Sequence, residues 1–91
     1  MNDGRRIRVE YSTRYIRSFR KLPHGVQEKA RRREEIFSTD PFDVRLETHK
    51  LHGKFQNYWA YSVDRKCRVI FRFIGKSGAL FLDVGTHSIY E

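Results

Sequence analysis

The 91-residue chain is long enough for one domain, and we assign residues 1–91 to it. Seven phenylalanines and five tyrosines supply enough apolar surface for a core, which excludes a disordered chain. Nineteen lysines and arginines against eleven acidic residues give a net charge of +8, which favours a polyanionic partner such as nucleic acid. A single cysteine excludes an intrachain disulfide, and no apolar run approaches the ~20 residues of a membrane span or forms a signal peptide, so we expect a cytoplasmic protein.

The first predicted elements are a strand and a helix. Apolar and charged residues alternate from Ile7 to Tyr11, which indicates a half-buried strand. Ser12 or Thr13 then provides a helix N-cap, and apolar residues at helical spacing follow until Pro23 ends the helix.

The remaining elements are a second helix and a meander of strands. A helix is predicted over 26–38, and the Asp40-Pro41 pair ends it. Residues 42–55 have no clean period, so we expect a loop with at most a short strand. Three strands follow at 58–63, 67–74 and 79–84, joined by turns of hairpin length. The predicted fold class is α+β, with the order β-α-α-β-β-β and a twisted antiparallel sheet carrying the N-terminal helical hairpin on one face.

Side-chain alternation along the central strand separates two faces of this sheet. One face is wholly apolar and is predicted to meet the helices; it carries Cys67, Val69, Phe71 and Phe73. The other face carries Arg68, Ile70 and Arg72, so we expect an anionic ligand to lie there.

Three groups of residues have the chemistry needed to cleave RNA without a metal. Attack by the 2′-OH needs a base, an acid for the leaving oxygen and cations at the phosphate, which histidine and arginine provide. The groups are the loop 49–54, the central Arg68 and the segment 85–90. Each of these residues also has a non-functional interpretation: the histidines and arginines would be solvated surface residues, and the indole of Trp59 would only pack against its neighbours. No histidine shows a metal-ligand spacing, so neither metal nor cofactor is expected.

Three segments resemble the RelE/ParE superfamily of type II toxins. They are 51–63 (LHGKFQNYWAYSV), 67–71 (CRVIF) and 82–87 (LDVGTH). The last is similar to the ending of the RelE-like and YafQ-like mRNA interferases. The resemblance implies a RelE-like fold and an endoribonuclease that enters the ribosomal A site, cuts mRNA to a 2′,3′-cyclic phosphate and is neutralised by a cognate antitoxin.

The resemblance also implies roles for individual residues. Arg68 would stabilise the phosphate, and His87 would act as acid or base. His49 stands where some members have their base, and since no acidic residue is there, His49 or His52 would fill that role. The residues expected to bind RNA are Lys50, His52, Lys54, Arg72, Trp59 and Tyr90.

Two other functions fit the same scaffold. One is a ParE-like toxin that inhibits DNA gyrase and has no nuclease activity, and the other is a non-catalytic nucleic-acid-binding module. ParE-type members generally lack the ending that contains a histidine, so His87 favours RNA cleavage over gyrase inhibition.

Overall fold

The computed structural model describes residues 6–55 and 57–86. In chain order the elements are β1 (Arg8–Tyr11), α1 (Thr13–Arg20), α2 (His24–Thr39), β2 (His49–Lys50), β3 (Trp59–Ser62), β4 (Cys67–Ile74) and β5 (Gly78–Thr86). Short 3-10 turns at Val44–Leu46 and Gly53–Phe55 interrupt the loop before β3. No helix in the described part of the chain is long and apolar enough to cross a membrane.

Local sequence signals account for the start of each helix, although α1 ends at Arg20 and α2 extends from His24 to Thr39, beyond the predicted 26–38. Ser12 is the N-cap of α1, and its hydroxyl accepts a hydrogen bond from the backbone amide of Tyr15 at 3.0 Å. Pro23 precedes α2 with a φ of −57°, which suits the entry to a helix. The side-chain amide of Gln27 donates to the carbonyls of Phe19 and Leu22, both at 3.1 Å. These bonds satisfy carbonyls at the end of α1 and join the two helices.

The five strands form one mixed sheet in the order β1-β5-β4-β3-β2. The α+β class, the order of the main elements and the helices on one face are confirmed. The expectation of a wholly antiparallel sheet is wrong for β1, which pairs parallel to β5 with Arg8 opposite Gly78. Alternation of side chains is the same in either orientation, so the pattern at 7–11 carried no information about direction. The two-residue β2 is the short strand allowed in the loop.

The core lies between the helices and the sheet. Its centre is a cluster of four fully buried aromatic rings from α2, β3, β4 and β5, namely Phe37, Tyr61, Phe71 and Phe81. The centroid of the Phe37 ring lies 4.8 to 5.3 Å from those of the other three. Such edge and offset contacts bury large apolar areas and fix the position of α2 on the sheet.

Candidate nucleic-acid interface

The sheet face opposite the helices has an apolar floor with arginines on either side. Leu51, Ala60 and Ile70 are buried there, packed against Tyr58 and Leu82. Arg68 and Arg72 project from β4 on this face, two residues to each side of Ile70. Arg72 is exposed, while Arg68 is partly buried. We call this surface the open face.

Hydrogen bonds from one nitrogen anchor Arg68 at the turn between β3 and β4. Its Nη1 donates to the Asp64 carbonyl at 2.6 Å, to the Cys67 carbonyl at 3.2 Å and to the Ser62 hydroxyl at 3.3 Å. Its Nε and Nη2 donate no hydrogen bond to the residues that the structure describes. The residue opposite Arg68 on β5 is Gly85, which has no side chain to cover it. A fixed guanidinium with one edge available is suited to bind a phosphate.

The turn that anchors Arg68 is itself organised by a carboxylate. Asp64 accepts hydrogen bonds from the backbone amides of Lys66 at 2.9 Å and Cys67 at 2.7 Å. Burial raises the pKa of Asp64, but the two hydrogen bonds and the charges of Lys29 and Arg68 together outweigh it, and the pKa is lower than its ordinary value of 3.8. Asp64 is therefore ionised at neutral pH and keeps the turn in the shape that presents its carbonyl to Arg68.

His49 lies on the open face at the edge of the sheet. It is opposite Ala60, which is opposite Ile70, so the three residues form one row across β2, β3 and β4. Two strand spacings separate His49 from Ile70, about 10 Å. Its Nδ1 is 3.0 Å from the Glu47 carbonyl. A carbonyl only accepts, so this hydrogen bond requires a proton on Nδ1, and in the neutral ring with that proton the lone pair is on Nε2, as a general base requires.

The other residues predicted for the site are distributed differently. His52 and Lys54 are exposed in the loop before β3, and His87 and Tyr90 lie outside the described residues. Trp59 does not join Arg68, because it lies on the helix-facing side of the sheet among core residues. Lys50 pairs with Trp59 and shares that side. Trp59 shares its alternation with the buried Tyr61 and Val63, and that pattern could have placed it correctly from the sequence.

The single cysteine lies next to Arg68 but on the other face. Cys67 is 5% exposed and packs in the core, as expected for a small buried hydrophobic residue. Burial raises the pKa of its thiol to about 11, with a further increase from the charge of Asp64. The thiol is therefore protonated at neutral pH. Among residues 6–55 and 57–86, no three His, Cys, Asp or Glu side chains form a group that could hold a metal ion.

The chain shares its fold with solved structures of toxins and of toxin-antitoxin complexes. No family model and no curated protein matches the sequence. The toxin-antitoxin complex RelBE2 from Mycobacterium tuberculosis contains a chain that superposes with a TM-score of 0.78 at 16% identity, over 93% of this chain and 95% of that one. A YoeB/ParE toxin from Agrobacterium tumefaciens superposes with a TM-score of 0.76 at 14% identity, over 89% and 99%. The DinJ-YafQ toxin-antitoxin complex from E. coli gives a TM-score of 0.74 at 21% identity, over 91% and 94%.

Proposed function

We propose that this protein is the metal-independent endoribonuclease toxin of a type II toxin-antitoxin system, acting in the cytoplasm on ribosome-bound mRNA. The observation that carries the proposal is the anchored Arg68, which keeps one edge of its guanidinium available opposite Gly85 on the open face of a protein with a net charge of +8. The shared fold supports the toxin class, because the similar structures include toxin-antitoxin complexes from two bacteria.

In the proposed reaction the 2′-oxygen attacks the adjacent phosphorus and the bond from phosphorus to the 5′-oxygen breaks. His49 accepts the proton of the 2′-OH at Nε2, and His87 donates a proton to the leaving oxygen. Arg68 stabilises the negative charge that grows on the phosphate oxygens. The product is a 2′,3′-cyclic phosphate. Arg72, His52 and Lys54 contribute positive or protonatable groups along the RNA path.

An antitoxin is the proposed protein partner. The protein has a net charge of +8, and the RelBE2 and DinJ-YafQ structures are toxin-antitoxin complexes. We propose that an acidic segment of the partner covers the open face and thereby excludes RNA from Arg68. Co-expression with the neighbouring gene product tests this pairing.

The test of the proposed function compares Arg68→Ala with Arg32→Gln in cleavage of mRNA on programmed ribosomes. Arg32 lies on α2 and is mainly exposed, so the control removes the same charge from another surface. Loss of Arg68 should slow single-turnover cleavage by about 10²- to 10³-fold, while the control stays near the wild type. His87→Gln should slow the same step by about 10²- to 10⁴-fold without weakening RNA binding.

A wild-type rate for Arg68→Ala would contradict the proposed mechanism. A gyrase supercoiling assay run beside it measures the alternative function. If the wild-type protein inhibits supercoiling and leaves mRNA intact, the nuclease proposal is wrong and the protein is a gyrase inhibitor.

A further inference from the structure

An exposed aromatic ring lies on the helix-facing side of the sheet, away from the open face. Phe42, in the loop after α2, is 56% exposed. Its ring stacks on Phe73 with centroids 5.9 Å apart and an interplanar angle of 29°, and it makes a T-shaped contact with Trp59 at a centroid distance of 5.5 Å. Trp59 and Phe73 are in contact with each other at 5.5 Å. We call these three residues the Phe42 platform. The Phe42 ring is therefore held by two aromatic neighbours while more than half of the residue stays exposed.

The loop that presents Phe42 is held in place by its own hydrogen bonds. The Asp40 carboxylate accepts from the backbone amide of Phe42 at 3.0 Å, and the Asp40 carbonyl accepts from the amide of Asp43 at 3.0 Å. The Thr48 hydroxyl donates to the carbonyl of Pro41 and closes the loop. A ring held in this way loses little further conformational freedom when a ligand stacks on it.

A lysine lies beside the platform. Lys50 is directly opposite Trp59 in the pairing of β2 with β3, and residues opposite each other project on the same face. Lys50 is exposed, and none of the ion pairs in the described part of the chain involves its ammonium group. An accessible ring face next to a cation is the combination that binds an unpaired nucleotide, with the base on the ring and the phosphate at the cation.

We propose that the Phe42 platform stacks an unpaired RNA base and that Lys50 contacts an adjacent phosphate. This contact is separate from the open face, since the sheet lies between Phe42 and Arg68. Single-stranded RNA reaches both by passing over the edge strand β2. The identity of the ligand as RNA rests on the proposed function and on the net charge of +8. A protein partner would gain affinity by burying the apolar area of the Phe42 ring, whereas an RNA base would gain it by stacking on the face of the ring.

The experiment measures binding of a short single-stranded RNA whose 2′-hydroxyls are methylated, so that cleavage cannot occur. Trp59 is the only tryptophan, and its fluorescence reports directly on the platform. Phe42→Leu should weaken binding by about 5- to 100-fold and remove the RNA-dependent change in fluorescence, because it keeps an apolar side chain but lacks a π-face. Phe42→Tyr should restore both.

Two further variants complete the design. Val44→Ser changes an apolar residue that is 86% exposed in the same loop, and it should bind RNA like the wild type. Lys50→Gln should reduce the slope of log affinity against log salt by about 0.7, as expected for the loss of one phosphate contact to single-stranded RNA.

The results separate this inference from the proposed function. If Phe42→Leu binds RNA as tightly as the wild type while cleavage depends on Arg68, the platform proposal alone is overturned. If RNA binding depends on Phe42 but no cleavage occurs, the platform proposal stands and the nuclease proposal fails. If Phe42→Leu weakens binding of the partner antitoxin and leaves RNA binding unchanged, the platform is a protein-docking surface and the inference is wrong. A wild-type protein that does not bind RNA overturns both.

Discussion

Asp64 holds the turn between β3 and β4 through hydrogen bonds from the backbone amides of Lys66 and Cys67. The carbonyl of the same residue accepts the shortest hydrogen bond from Arg68, at 2.6 Å. The carboxylate therefore acts on Arg68 through the backbone, because it fixes the conformation of the turn whose carbonyl anchors the arginine. A change at Asp64 should affect stability and cleavage together.

Asp64→Ala should lower the free energy of unfolding by about 1 kcal/mol at pH 7, since it removes two hydrogen bonds from a partly exposed turn. The folded state holds the pKa of Asp64 below its ordinary value of 3.8, so the carboxylate stabilises the protein above that pH. This contribution is lost as the pH falls through the folded pKa. Urea unfolding of both proteins at several pH values measures it. A difference that persisted unchanged at a pH below the folded pKa would contradict the assignment.

Ser12 connects the start of α1 to the last strand. Its hydroxyl accepts from the amide of Tyr15 and donates to the Leu82 carbonyl at 2.9 Å, so one side chain serves as both N-cap and cross-link. Ser12→Ala should lower the free energy of unfolding by about 1–2 kcal/mol. Thr13→Ala is the matched control, because Thr13 is exposed and follows Ser12 directly. Equal losses in the two variants, measured by urea unfolding, would show that the Ser12 hydroxyl has no special role.

The local signals in the sequence predicted the elements well, and the long-range relations less well. The cap at Ser12 and the two faces of β4 follow from spacing over a few residues. The parallel pairing of β1 with β5 does not follow from such spacing, since the alternation of side chains in a strand is the same for parallel and antiparallel pairing. The open face with Arg68 and Arg72 was predictable because alternation is a local property. The role of Phe42 was not predictable, because the apolar residues of its loop show no periodic spacing. Its ring is positioned by Trp59 and Phe73, which come from strands far along the chain.

Across the whole molecule, positive charge outweighs negative charge by eight at neutral pH. Binding of single-stranded RNA should therefore weaken steeply with salt, and contact with four phosphates gives a log–log slope of about −3. Arg68→Ala should reduce the magnitude of that slope by about 0.7. Fluorescence titrations over a series of potassium chloride concentrations give both values. Affinity that is independent of salt would mean that phosphate contacts do not drive binding.

The pairing of β1 with β5 also has a consequence for how the protein is made. Strand β1 and helix α1 leave the ribosome before β5, since Leu82, which accepts the hydrogen bond from Ser12, is 70 residues further along the chain. Closing a loop of that length costs about 4 kcal/mol of entropy, which the contacts of β1 and α1 with β5 must offset. During synthesis, β1 and α1 are therefore fixed in position only after β5 has left the ribosome. Synthesis of the last strand is the step that completes the sheet, so the folded protein forms late and as one unit.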